Sequence, residues 1–434
     1  MESIWMDTEL PPFPRLEGNF STDVLVIGGG MAGLLCAYRL TQAGVRCVVA
    51  EAAEIAGGIT KNTTAKITSQ HGLVYHKLVQ RFGYKAAGLY LEAHEAALAE
   101  YRQLCAELDC DYREQDNFIY SRTDRSLLEK ELTCLHALGF PASLAKDLPL
   151  PFPTVGAVKF PQQGQFHPLK FLAAISSDLA IFEHTPVRQL TKGGAITDQG
   201  TIRAEKIIIA THFPFLNKHG SYFLKLYQQR SYAIALENVP VIHGMYLDEA
   251  ENGLSFRSHN GRLILGGGGH RTGKQGGSWQ ELEAFAAAHY PDANITHRWA
   301  TQDCMTLDGM PYIGQYSANT PNLYVATGFN KWGMTGSMAS AQILTDLILG
   351  KPNPYAGLFS PSRSMLHPQL GINMLESTKN LLTPTAPRCP HLGCALKWNP
   401  QEHSWDCPCH GSRFTEDGKL IDNPATGDLK KKRE

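Results

Sequence analysis

The chain has 434 residues, 43% of them hydrophobic, and a formal net charge of -1 at pH 7. That length supplies core for two or three packed units, and a charge so near balance leaves no electrostatic footprint for nucleic acid. The first residues, Met1-Glu-Ser-Ile-Trp-Met-Asp-Thr-Glu9, lack the basic segment and apolar run of a secretory signal, and no apolar stretch approaches membrane-spanning length. A cytoplasmic protein with no membrane partner is expected, and its oligomeric state is left open.

Asp23-Val-Leu-Val-Ile27 is an apolar run suited to a buried parallel strand. Gly28-Gly-Gly30-Met31-Ala32-Gly33 follows, and Leu34 to Leu40 reads as helix. Gly28 allows a tight turn, Gly30 lets a pyrophosphate approach the backbone, and Gly33 lets helix pack on strand, with the helix amino end toward phosphate charge. Val45 to Ala50 is a second strand ending at Glu51, 18 residues past Gly33, where a carboxylate accepts hydrogen bonds from a ribose. Strand, glycines, helix, strand and acid in register make a dinucleotide fold. Glu54 to His71 continues with small and hydroxyl residues, Gly58, Thr60, Thr64 and Ala65 among them, able to run close along a long cofactor, which favours FAD over NAD. Residues 84 to 109, rich in Ala, Leu and Glu, read as helical.

Later stretches extend this pattern. They are Thr185-Pro-Val187; the strand and turn Ile207-Ile-Ile-Ala210-Thr211-His212-Phe213-Pro214; Thr306-Leu-Asp308-Gly309; and the strand Asn322 to Thr327 followed by Gly328-Phe-Asn-Lys331-Trp332-Gly333-Met334-Thr335, which opens a helix from Gly336 to Leu349. With them, nearly the whole chain resembles the FAD-dependent amine and amino-acid oxidases, the D-amino-acid oxidase or glycine oxidase family. The resemblance implies that Val187 meets the adenine, that Ala210 and Thr211 return to the flavin, and that the last helix points its amino end at the flavin pyrimidine edge. Gly328, Gly333, Met334 and Thr335 are contact candidates. Lys331 either adds positive charge beside the ring or is a solvated loop lysine. Gly266 to Gly269 reads as a hairpin turn or else lines the substrate side, and Arg257 and Arg271 read as surface arginines or else substitute for an anion contact. Amino-acid oxidases of this family place an Arg three residues before the Thr of Thr-x-Asp-Gly to hold a substrate carboxylate. Asp303 stands there instead, which favours an amine, an alcohol or a protein electron carrier over an ordinary α-amino acid.

Near the carboxyl end, Cys389-Pro-His391-Leu-Gly-Cys394 and Cys407-Pro-Cys409-His410 each offer one Cys and one His, with fifteen residues between His391 and Cys407. Two thiolates can hold one iron and two imidazoles another, which raises the potential above that of an all-thiolate cluster. The loops resemble a Rieske 2Fe-2S domain with Cys389, His391, Cys407 and His410 as ligands. The resemblance further implies a Cys394–Cys409 disulfide, a hydrogen bond from Ser412 to a cluster sulfide, and a covering loop at Asn423-Pro-Ala425. Phe414 stands where a Tyr donor is usual, so a lower potential is expected. A structural zinc site would use the same ligand types. A relic that binds no metal is the other alternative, because the strands that normally precede the first loop are missing. A piece this small needs the metal, the disulfide or docking on the main body for stability. Cys36, Cys47, Cys105, Cys110, Cys134 and Cys304 lack metal spacing and read as reduced thiols.

The expected fold is α/β: a discontinuous Rossmann-like FAD-binding domain (about 20–100, 150–215 and 300–350) and an antiparallel-sheet substrate domain within residues 1–375. A linker at 376–388 and a small all-β cluster-binding module at 389–434 follow. The expected function is an oxidoreductase moving electrons between a small amine-like or alcohol substrate, flavin, a 2Fe-2S cluster and an external one-electron carrier. No general base stands out. An oxygen-dependent oxidase with a structural cluster module, and a redox-sensing or electron-transfer protein without a small substrate, remain alternatives. Lys430 to Arg433 is expected to be a solvated tail.

Overall fold

The computed structural model describes residues 2–384 and 387–430. The apolar runs Val24 to Ile27, Val48 to Ala50 and Ile207 to Ile209 are buried throughout, as suits central parallel strands covered on both faces. They lie in one sheet, in the order Tyr312–Gln315, Leu323–Thr327, Thr201–Ile209, Phe20–Ile27, Cys47–Ala50, Ile181–Phe182. Phe20–Ile27 pairs in parallel with both Thr201–Ile209 and Cys47–Ala50. The helix Met31–Gln42 packs against the helix Gly333–Ile348, burying Leu34, Leu35, Met338 and Leu344 in a shared core.

A second sheet of nine strands lies beside the first, with the main order Asn294–Thr306, Leu226–Glu237, Arg262–Arg271, Ser255–His259, Met245–Asp248, Arg113–Ser121, Gly156–Gln165, Lys66–Ile67. It is antiparallel except where Met245–Asp248 meets Arg113–Ser121. Three of its strands, Lys66–Ile67, Gly156–Gln165 and most of Asn294–Thr306, fall in stretches expected to bind FAD. Gly266 to Gly269 forms no hairpin turn but lies inside Arg262–Arg271, where Gly266 is paired on both sides and Gly268, with a φ of +61°, sits at a bulge in the pairing with Leu226–Glu237. The missing side chains permit close approach, since a Cβ on Gly267 would stand 2.7 Å from Leu254 Cδ2. Residues 84–107 continue the helix Tyr75–Glu107, which breaks at Gly83 with a φ of +81°.

The expected linker is largely helical. Pro368–Leu382 is an α-helix with Pro at its start and His367 accepting from the Gln369 N–H at 3.1 Å. Thr385 and Ala386 lie outside the described residues, as do Lys431 to Arg433 of the basic run. Four three-residue strands follow, Lys397–Asn399, Ser404–Asp406, Arg413–Thr415 and Leu420–Asp422, in an antiparallel meander. Among the described residues, only the bridge between Arg388 and Ala395 lies on the amino-terminal side of the first ligand loop.

Candidate functional site

A cavity of about 1250 Å³ is lined from both large sheets. Its wall includes Gly28, Gly30, Met31, Ala32, Glu51, Gly58, Thr60, Thr64, Val187, Ala210, Thr211, Lys331, Gly333 and Met334. Four expected residues stand behind that wall. Gly33 fills the helix–strand contact, where a Cβ would lie 1.9 Å from the Gly28 carbonyl oxygen. Ala65 offers its carbonyl to Arg257 Nη1 at 2.7 Å, Thr335 Oγ1 donates to the Thr68 carbonyl at 2.9 Å, and Gly328 packs on Thr306.

Glu51 is fixed at the end of its strand. Its Oε2 accepts from the Gly29 N–H at 2.6 Å and its Oε1 from Ala53 at 2.9 Å. Burial pushes this carboxyl up and the backbone donors pull it back. Thr60 Oγ1 accepts from the Met31 N–H at 3.1 Å, joining the short helical turn Ile59–Asn62 to the amino end of the first helix. Cβ atoms on Gly58 or Gly333 would meet nothing within 4 Å, so backbone is open to a ligand at both places. A glycine-bordered groove at a helix amino terminus, larger than the roughly 300–1,000 Å³ of ordinary small-ligand pockets, fits FAD.

Polar side chains gather at the rest of the cavity. Lys66, His71, Asp248, Glu249, Glu251, Asp303 and Trp332 line it. Asp303 accepts from Ser231 Oγ at 3.2 Å, and burial pushes its carboxyl up against the pull of Lys331 and His212. Lys66 donates to Thr64 Oγ1 at 3.0 Å, and burial, then the charge of Arg257, lowers its amine to about 7. His71 stacks on Trp332 with ring centroids 4.9 Å apart and shares Tyr90 Oη at 2.6 Å. No motif in the sequence assigns Lys66 or His71 a role. A Lys inside a buried run between Ala65 and Ile67 was the available signal. Arg257 is no surface arginine but 0% exposed, packed under Trp5 from the chain's start. Arg271 is also drawn inward: its Nε donates to the Pro408 carbonyl at 3.3 Å and its Nη1 to Asn373 Oδ1 at 3.1 Å. Asp308 is gripped by Arg363, Nε to Oδ2 at 2.6 Å and Nη2 to Oδ1 at 2.8 Å.

The two carboxyl-terminal loops bring Cys389, His391, Cys407 and His410 together. Cys389 and Cys407 are buried and hydrogen-bonded, and Ser412 also reaches Cys389. The imidazole centroids of His391 and His410 are 4.9 Å apart. His391 Nδ1 and both ring nitrogens of His410 are buried without a hydrogen-bond partner. Imidazole nitrogens without hydrogen-bond partners and a pair of buried sulfurs on the same two loops fit a metal centre with mixed ligation. Cys394 and Cys409 carry no bond between them in this structure, but the fold brings the expected pair together, their sulfurs lying with that of Cys407 within 4.8 Å of one another. Ser412 Oγ accepts from the Ala425 N–H at 3.0 Å, tying the Asn423-Pro-Ala425 loop to the second ligand loop, while Phe414 is fully buried in the module.

This module is seated where the turn after Thr201–Ile209 meets the second-sheet strands Leu226–Glu237, Arg262–Arg271 and Asn294–Thr306. Phe213 packs edge-on against both imidazoles, 6.3 Å from His391 and 6.1 Å from His410. Gln228 Nε2 donates to the His410 carbonyl at 2.8 Å, while its Oε1 meets His212 Nε2 at 3.0 Å. Gln302 Nε2 donates to the Gly411 carbonyl at 2.9 Å, and Asn423 Nδ2 to the Phe213 carbonyl at 2.9 Å. Arg230 and Arg413 converge on the buried Glu402. Thr211 and His212 line the cavity on the other side of this strip.

Residues 23–347 match the family model described as FAD dependent oxidoreductase, and residues 372–432 match the Rieske [2Fe-2S] domain. YhfW of Bacillus subtilis, described as a Rieske 2Fe-2S iron-sulfur protein, is 34% identical over 99% of this chain and 97% of its own length. A 42-residue stretch is 50% identical to cytochrome b6-f complex iron-sulfur subunit 3 of a Nostoc species, covering 10% of this chain and 24% of that protein. The crystal structure of glycine oxidase from Geobacillus kaustophilus superposes with a TM-score of 0.67 at 21% identity, over 80% of this chain and all of that one. The chain belongs to the FAD-dependent oxidoreductase family and carries a Rieske 2Fe-2S domain toward its carboxyl end.

Proposed function

We propose that the chain oxidises a small amine at the cavity and passes the electrons singly to a Rieske centre held by Cys389, His391, Cys407 and His410. When bound, FAD accepts a hydride equivalent and releases single electrons, which the 2Fe-2S centre can carry. The observation that carries this reading is the strip Thr211-His212-Phe213. Its first two residues line the cavity and its third touches both cluster imidazoles. No large rearrangement is needed to bring the two sites together.

The cavity-wall residues named above are proposed to hold FAD, with Gly28 and Gly30 at the pyrophosphate, Glu51 at the ribose and Gly333 and Met334 at the ring. Asp303, with Glu249 and Glu251, gives the remaining wall an acidic character suited to an ammonium group. Lys331 opposes them from the far loop, its Nζ 3.8 Å from the point where a Gly269 side chain would begin. Glycine oxidase shares the fold, and an amine is the substrate class most consistent with these charges.

Rapid mixing of anaerobic holoprotein with candidate amines tests the relay. Flavin bleaching should precede a cluster signal of low average g value, and Phe213→Ala should slow the second phase and spare the first. Purified protein holding zinc and no iron, or flavin reduction that never reaches the cluster, would sink it.

A further inference from the structure

The helix Pro368–Leu382 is turned inside out. Its only wholly buried side chains are Asn373 and Asn380, while Ile372, Met374, Leu375, Leu381 and Leu382 are exposed. Asn373 is held by Arg271 and by the Leu224 carbonyl, and Glu376, which accepts from Asn380, pairs with Lys274 at 2.7 Å, so the polar face is the one fastened to the protein. On a 3.6-residue repeat the exposed apolar positions form one continuous face opposite those asparagines. Leu375 is 73% exposed, Leu382 77%, and the preceding Leu366 86%. Scattered apolar residues are ordinary on a surface; a contiguous row of this kind marks a contact.

The row continues to the cluster loop. Arg388 bonds the Leu381 carbonyl at 3.1 Å and the Gly393 carbonyl at 2.8 Å, joining the helix end to exposed Leu392, which follows the ligand His391. His391 Nε2 meets Asn217 Oδ1 at 2.9 Å, which brings exposed Lys218 to the same border. Lys379 lies on the apolar face itself. Lys218, Lys379 and Arg388 are exposed and pair with no carboxylate among the described residues. A basic fringe on two copies would repel across a self-contact. A short-lived contact with a soluble carrier, which buries a small and mostly polar area, leaves this many leucine-type side chains unaccounted for.

We propose that this face is an interfacial membrane anchor: the helix lies flat on an anionic lipid surface, with its apolar row at the acyl boundary and its cations among the headgroups. Such a helix needs neither spanning length nor a wholly apolar sequence, so it is compatible with the absence of a helix long and apolar enough to cross a membrane among the described residues. Lipid contact would set the His391 side of the cluster loop at the membrane surface, leaving His410, 2% exposed, toward the flavin side.

The test is sedimentation of the holoprotein with vesicles of equal parts phosphatidylglycerol and phosphatidylcholine, and with phosphatidylcholine alone. Binding should favour the anionic vesicles and weaken with salt. Leu375→Glu combined with Leu382→Glu should abolish it, with flavin content and cluster spectrum unchanged. Lys379→Gln should weaken it about fivefold, the ~1 kcal/mol of one cation near an anionic surface. No binding to either vesicle overturns the proposal. So does a dimer seen by light scattering in the absence of lipid that the double glutamate variant breaks. Both readouts are independent of electron transfer, so failure here leaves the relay untouched.

Discussion

At the scale of single residues, Lys66 has the most predictable solution behaviour. It lines the cavity beside Arg257, and its amine falls from 10.5 to about 7, through burial first and the neighbouring guanidinium second. Between those values the unfolded chain binds a proton that the folded chain does not, so this residue makes stability rise with pH from about 7 to 10.5. Urea titrations of the apoprotein across that window should show the rise, and Lys66→Met should flatten it. Gly33→Ala tests backbone geometry instead. Its new methyl would collide with the Gly28 carbonyl, so a loss of about 2 kcal/mol, within the usual overpacking range, and a lower flavin content on purification are expected. The role of Gly33 was legible because the close packing of the first helix on the turn five residues before it dictates it. The setting of Arg257 was not, because Trp5, far away in sequence, is what covers it.

Elements were legible where their hydrophobic pattern matched their surroundings. The strands Phe20–Ile27 and Cys47–Ala50 and the helix Gly333–Ile348 carry continuous apolar runs or small-residue faces that only a covered sheet accommodates. Gly266 to Gly269 misled because the strand absorbs these residues in a bulge opposite Ser231, with pairing to Leu226–Glu237 resuming on either side. Pro368–Leu382 misled because asparagines occupy the inward positions where periodicity expects leucines. Within the meander, Arg413 holds Asp406 at 3.0 Å, Asp422 at 3.1 Å and Glu402 at 2.8 Å, adding a buried ionic cluster to the small apolar core around Phe414 and Leu396. Although burial opposes it, Arg230 and Arg413 hold the Glu402 carboxyl at about 2. Its contribution is therefore complete above the ordinary value of 4.5 and lost as pH falls from there toward 2. Acid titration followed by tryptophan fluorescence, to which Trp398 and Trp405 report, should show a transition in that window that Glu402→Gln removes.

At the scale of the molecule, what the sequence could not convey was the seat of the small module. Ligand spacing identified the centre, and the shortened scaffold pointed to help from the main body, but the seat is built from Phe213, Gln228, Arg230, Arg271 and Gln302, scattered over four stretches. Arg230 is the strongest handle on it. Arg230→Ala leaves Glu402 buried beside one cation fewer, and breaking such a pair costs about 3–5 kcal/mol. Limited proteolysis should then cut the chain near residues 383–388 faster than in the parent, while flavin binding is retained. Cleavage at the parental rate would mean that the pair contributes little to the seat.

Two glycines allow that seat to close. A side chain on Gly411 would start 2.6 Å from Gln228 Cβ, and one on Gly273 would start 2.8 Å from the Pro408 backbone. One glycine belongs to the module and the other to the body, so each half is cut to the other's shape. A ligand-bearing tip transplanted from another iron-sulfur protein would need a residue without a side chain at 411 as well as the four ligands. Compatibility in a chimera should therefore depend on this steric lock more than on the metal chemistry it carries.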